Sequence, residues 1–172
     1  SLLDIYLNSA QGFTDANTLD PFGAQLAWNT WLLDTINAGN YYHVIPQYGQ
    51  KQTKSVTTRG HMGEMVFALG GNYANRLYLG ASLNLPFVSY TEQSEFTESV
   101  ENDTVFNLKS YKVEQYLGTE GQGFNLKLGI IFKPVEFIRI GGAFHTPSVM
   151  ELSDDYSSSI KSYFTTGSYE SE

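Results

Sequence analysis

At 172 residues the chain is long enough for one domain to bury about two-thirds of its unfolded surface, so size excludes little. Aromatic residues make up 15% of it, chiefly Tyr and Phe, beside 16 Gly, a mixture that suits β-structure with aromatic girdles or an aromatic-lined pocket better than a helical bundle. The formal net charge of −8 leaves no cationic footprint for nucleic acid, and the absence of cysteine removes disulfides, thiolate nucleophiles and Cys-based zinc sites.

The chain opens Ser1-Leu2-Leu3 in mid-pattern and without Met, which reads as a piece of something longer. Asp20-Pro21 followed by "FGAQLAWNTWLLDTINAG" predicts one helix, with Asp20 as cap, Pro21 at the first helical position and Gly39 as the left-handed stop. Phe22, Leu26, Trp28 or Asn29, Leu32 and Ile36 give it an imperfect apolar stripe, thickened by Trp31 and Leu33. Residues 40–60 are turn-rich and aromatic without a period and read as loop, so that 1–60 forms a helix-containing loop region.

From Glu64 the period becomes two. Met65, Phe67, Leu69 and Tyr73 share one face; after a turn at Ala74-Asn75-Arg76, Leu77, Leu79, Ala81, Leu83 and Leu85 repeat the pattern opposite Tyr78, Gly80, Ser82 and Asn84. Residues 88–109, polar and acidic, read as a solvated loop. Alternation resumes near Ser110 and is clearest in "LKLGIIFKPVEFIRIGGAFHTPS", where Phe124, Leu126, Leu128, Ile130 and Phe132 oppose Asn125, Lys127 and Gly129. After the turn at Lys133-Pro134-Val135-Glu136, Ile138, Ile140 and Phe144 oppose Arg139, Gly141 and Ala143. The expected class is therefore mainly β with one helix: antiparallel strands over 61–147, with 148–172 a further loop.

No stretch of eighteen apolar residues occurs, which excludes a transmembrane helix, whereas a barrel strand leaves only this weaker alternation. In an outer-membrane barrel the short turns lie on one side and the long loops on the other. Keeping both short turns on one side requires residues 110–132 to form a single long strand, bent at the Gly-rich "GTEGQG". The competing arrangement is a soluble sandwich whose apolar face meets a second sheet.

"LYLGASLNLPFVSY" followed by "GFNLKLGIIFKPVEFIRIGGAFHTPS" resembles the outer-membrane transport proteins for long-chain fatty acids and aromatic hydrocarbons, some of which carry a hemin-receptor label. Gly80, Gly123, Lys127, Gly129, Pro134 and Arg139-Ile140-Gly141 carry the resemblance, and "QLAWNTWLLD" looks like the same lineage. It implies a fourteen-stranded transmembrane β-barrel in the bacterial outer membrane, passing apolar molecules inward without cofactor. Its partners would be a hydrophobic small molecule and membrane lipid. The Asn-Pro-Ala hatch motif is absent and only about four strands are present, so the isolated piece must cover its sheet by oligomerising, swapping strands or folding its helix onto the apolar face.

The resemblance also assigns candidate sites. Trp28, Trp31, Leu32 and Ile36 would form an apolar groove on a loop helix at the outer mouth, or pack on the barrel rim. Lys127 and Arg139 would attract a carboxylate in the lumen, or balance charge there. Tyr41, Tyr42, His43 and Tyr48 are the residues to which a heme reading could appeal, against local packing. The acidic run Glu92, Glu95, Glu98, Glu101 and Asp103 reads as a solvated loop before it reads as a cation site. His43, His61 and His145 lack metal-ligand spacing, and no phosphate loop, G-x-S-x-G or H-E-x-x-H occurs, which argues against an enzyme. The alternative function, of a different class, is a soluble or surface β-rich module binding heme or glycan.

Overall fold

The computed structural model describes residues 1–45, 49–100 and 106–172. Two short helices, α1 (Leu2–Ala10) and α2 (Ala24–Asn29), precede a small hairpin of β1 (Leu33–Asn37) and β2 (Asn40–His43). Long strands follow: β3 (Lys51–Tyr73), β4 (Leu77–Ser99), β5 (Leu108–Val135), β6 (Ile138–His145) and β7 (Val149–Phe164), with β8 (Ser168–Ser171) at the end. They form an open six-stranded sheet in the order β3-β4-β5-β7-β8, with β6 also pairing β5. No closed barrel forms among these strands.

The mainly β, antiparallel expectation holds, and the single long strand expected over 110–132 is present within β5, unbroken through Gly118–Gly123. Several local expectations do not hold: two short helices form where one was expected, and residues 40–60, expected as loop, carry β2 and the start of β3. The helix expected from Pro21 to Gly39 is only six residues long: Thr30 donates its hydroxyl back to Leu26 O at 2.7 Å, and Trp31 takes a positive φ of 59°, which ends the helix. Gly39, expected to stop that helix, instead turns the β1–β2 hairpin at φ +81°. The expected loop over 88–109 is largely strand, because β4 runs on to Ser99; the tail 148–172 is likewise mostly β7 and β8. In both segments polar residues occupy the ladder, so composition masked the strand.

Contacts divide the chain into two compact units. The first comprises Ser1–Thr58, Glu92–Leu117 and Asp155–Glu172. Its core joins Leu3, Tyr6 and Ala10 of α1, spaced to share one helical face, to Leu26, Leu32, Leu33, Tyr111, Val113 and Ile160. The helices thus bury their apolar sides within this unit. Ser162 donates to Thr30 O at 2.7 Å, tying β7 to the end of α2. Glu98, from the run read as a solvated loop, is fully buried, and its Oε2 accepts from Tyr111 Oη at 2.8 Å and Gln52 Nε2 at 3.1 Å.

The second unit comprises Arg59–Thr91 and Gly118–Asp154. The β3–β4 turn carries positive φ at Ala74 and Asn75, closed by Arg76 N–H donating to Tyr73 O at 3.0 Å. The β5–β6 register runs from Lys127↔His145 to Phe132↔Ile140 and slips before Val135↔Ile138, where Pro134 has no N–H to offer the ladder. Glycines let neighbouring strands approach. A Cβ on Gly123 would stand 2.3 Å from Val149 O, and one on Gly63 would enter the Phe87 ring.

Two outcomes are expected. Gly123→Ala must displace backbone and should cost about 1–3 kcal/mol, whereas Gly129→Ala, with nothing within 4 Å of the new Cβ, should be near neutral; paired thermal melts check the difference. Burial pushes the Tyr6 phenol up to about 12 and raises that of Tyr111 further, helped by its hydrogen bond to the Glu98 carboxylate. The unfolded chain therefore ionises first, near pH 10, so this stability is full below about pH 10 and declines as pH rises toward the folded values. Ultraviolet titration should show the Tyr6 and Tyr111 phenols still protonated until the first unit unfolds.

Candidate functional site

The second unit exposes a broad apolar face on one side and carries its polar groups on the other. Alternation along β3, β4, β5 and β6 sends Phe67, Leu69, Leu79, Leu128, Ile140 and Phe144 to one face, and all are exposed, Leu69 at 85%. Met65, Leu83, Phe124, Leu126, Ile130 and Phe132 extend the same exposed surface. Scattered exposed apolar residues need no explanation, but a contiguous face of them across four strands marks an interaction surface. Leu69, Leu79, Leu128, Ile130 and Phe144 also line a shallow hollow of ≈ 660 Å³ there, where Gly71 and Gly142 leave gaps.

The opposite face carries the polar groups, bonded to one another. Asn84 is fully buried and donates to Asn125 Oδ1 at 2.8 Å; Asn125 in turn donates to Glu64 Oε1 at 3.2 Å and Ser148 Oγ at 3.0 Å. Lys127 closes the network on Glu64 at 3.1 Å. Next along this face lies a groove of ≈ 790 Å³, whose floor is Gly70, Gly80, Gly129 and Gly141 and whose walls include Tyr78 and Ile131. Without side chains on the floor, the groove is open down to the backbone.

Of the residues proposed from sequence, Lys127 lies in this network with its charge matched by Glu64, and Arg139 lies on the same face of β6 with no ion pair among the described residues. Trp28, Trp31, Leu32 and Ile36 do not share one helix. Trp28 is on α2 with its ring edge-on to Tyr41 at 5.7 Å, and Leu32 is buried in the core. Trp31 sits exposed in the turn, its ring 6.4 Å from that of Tyr169, and Ile36 is exposed on β1. The heme candidates have local partners: the Tyr41 ring is buried, Tyr42 Oη donates to Asp34 Oδ2 at 3.0 Å, and His43 Nε2 is 3.0 Å from Asp4 Oδ1. The Asp34 hydrogen bond raises the Tyr42 phenol above its ordinary value. Tyr48, Glu101 and Asp103 lie outside the described residues.

Among the described residues no cluster of His or carboxylates could hold a metal, and no helix is long and apolar enough to cross a membrane, which says nothing of strands. The sequence reading placed Asn125 and Lys127 on the polar face and missed their partner Glu64, 61 residues from Asn125. Alternation placed Glu64 on the face opposite Met65, but only strand order brings it beside β5. No protein-family model matches the chain, and no curated protein matches it either.

Asn84→Ala removes a donor from a buried acceptor and is expected to cost about 1–3 kcal/mol, read as a lower urea midpoint. Lys127→Ala, at a partly exposed ion pair, should cost less, about 0–1 kcal/mol.

Proposed function

We propose that this chain forms part of the wall of a bacterial outer-membrane channel for the passive uptake of hydrophobic compounds, of the fatty acid or aromatic hydrocarbon kind. The observation that carries the reading is the sidedness of the second unit: a continuous exposed apolar face over four strands, backed by a hydrogen-bonded polar network and a glycine-floored groove. Lipid is the surrounding that stabilises such an outer face, and a hydrated lumen with room for a passenger suits the inner one.

Strand geometry supports this. The apolar stretches Phe124–Phe132 and Leu77–Leu85 have the nine or so residues that cross a bilayer at a tilt. The sheet is open, with β3 at its end, and an unpaired long edge inside a bilayer is costly because lipid offers the backbone no partner. The channel reading thus requires further strands to pair with both edges. The first unit holds the buried helices and all of the chain's excess negative charge. Resemblance to the hydrocarbon uptake proteins points the same way, on the glycine, lysine and proline positions already named.

The sharpest test puts a charge on the apolar face. Leu128→Arg and Leu79→Arg are expected to cost about 2–4 kcal/mol of stability in lipid bilayers if these positions lie near the midplane, and to weaken the heat-shifted gel band of an inserted barrel. A soluble module would accept both without loss, since each side chain is already more than half exposed. Native protein found in the soluble fraction, with no heat shift, would overturn the channel reading.

A further inference from the structure

Three cations close the inner face at its short-turn end. Alternation along β5 from Asn125 brings Lys127, Gly129, Ile131 and then Lys133 to one face. The pairings Gly129↔Ala143 and Ile131↔Gly141 carry that face to β6, where Arg139 is next. Lys133 N–H donates to Arg76 O at 2.7 Å, which places Arg76 beside Lys133 at the start of β4. Neighbouring strands lie about 5 Å apart, so the three backbones fall within about 10 Å. None of the three makes an ion pair among the described residues, not even with Glu136 in the turn between Lys133 and Arg139. Like charges set side by side across strands oppose folding unless something binds them.

What lies next to them supplies the rest of a ligand site. Tyr78, Ile131 and Gly141, each two residues along its strand from a cation and so about 7 Å away, line the ≈ 790 Å³ groove on this same face. Its lining is mostly apolar, and its glycine floor leaves room for a chain rather than for a further side chain. An apolar trough ending in three unmatched cations is complementary to a single-chain amphiphile with an anionic head. A carboxylate would match one of the three charges, whereas a phosphate monoester carries close to two and offers three acceptor oxygens that arginine can engage in pairs.

We infer that Arg76, Lys133 and Arg139, with the Gly70–Gly80–Gly129 groove, form a binding site for a phosphate-headed single-chain amphiphile at the short-turn end of the inner face. The inference rests on the channel reading for its setting, because the groove is an inner face only if the opposite face meets lipid. The test is equilibrium dialysis of the protein in dodecyl maltoside against radiolabelled dodecyl phosphate, with the heat-shifted gel band followed in parallel. Wild type is expected to bind dodecyl phosphate at least tenfold more tightly than laurate. R76Q and R139Q should each weaken it about tenfold and lose the preference, while keeping the band. An unchanged affinity in R76Q/K133Q/R139Q, or equal affinity for laurate, would overturn the site. Displacement by equimolar inorganic phosphate would also overturn it, by showing a free-anion site that makes no use of the groove. Loss of the heat-shifted band in wild type itself is the separate failure of the channel reading.

Discussion

Everything in the second unit depends on one constraint of the extended chain: successive side chains must point to opposite faces, so a strand cannot choose the surroundings of one residue without fixing those of its neighbours. Given Phe124, Leu126, Leu128, Ile130 and Phe132 on one side, Asn125, Lys127 and Gly129 have no choice but the other. A soluble sheet settles this by burying the apolar side. Here the polar side is the one whose groups find each other, and Asn84 is fully buried while Leu69 on the apolar side is 85% exposed. A hydrogen-bonded polar network is strengthened where bulk water is excluded, and an exposed apolar face is stabilised by whatever cover takes it out of water.

That inversion also accounts for the glycines. On the polar face, Gly70, Gly80 and Gly129 fall side by side on β3, β4 and β5, so their effect adds across strands into a groove instead of a set of isolated gaps. Other glycines serve backbone approach: Gly121 and Gly123 let β7 close on β5 where a Cβ would meet carbonyl or side-chain atoms within 3 Å. One residue type thus has two roles separated by position along the same strand. Away from the turns it tightens the sheet; nearer them it empties the polar face.

Much of the second unit was legible in the sequence, because alternation is a local signal. The β3–β4 and β5–β6 hairpins, their two short turns and the facing of Lys127 and Arg139 all follow from residues at spacing two. The first unit was legible only in part. Thr30 and Trp31 end α2 early through a back-bonded hydroxyl and a left-handed φ, neither of which an apolar stripe announces. The acidic run to Ser99 remains strand where Tyr111 and Gln52, 13 and 46 positions away, both donate to Glu98 Oε2. Polar strands of this kind look like loops to any reading based on hydropathy.

Charge follows the same division. Arg59–Thr91 and Gly118–Asp154 contain five basic and five acidic residues, so the entire net charge of −8 resides in the segments of the first unit. Within the second unit the balance is not uniform: Glu120, Glu151 and Asp154 outnumber Arg59 at the end away from the turns, and Arg76, Lys133 and Arg139 outnumber Glu136 at the turns. A neutral segment with separated ends carries a field along its strands. An anionic group at the turn end of the polar face meets these cations. Attraction of this kind acts over roughly a Debye length, about 8 Å at physiological ionic strength, and further where water is excluded. The glycine-floored groove lies within that distance of the cations, so the polarity of the strands and the room between them bear on the same part of the sheet.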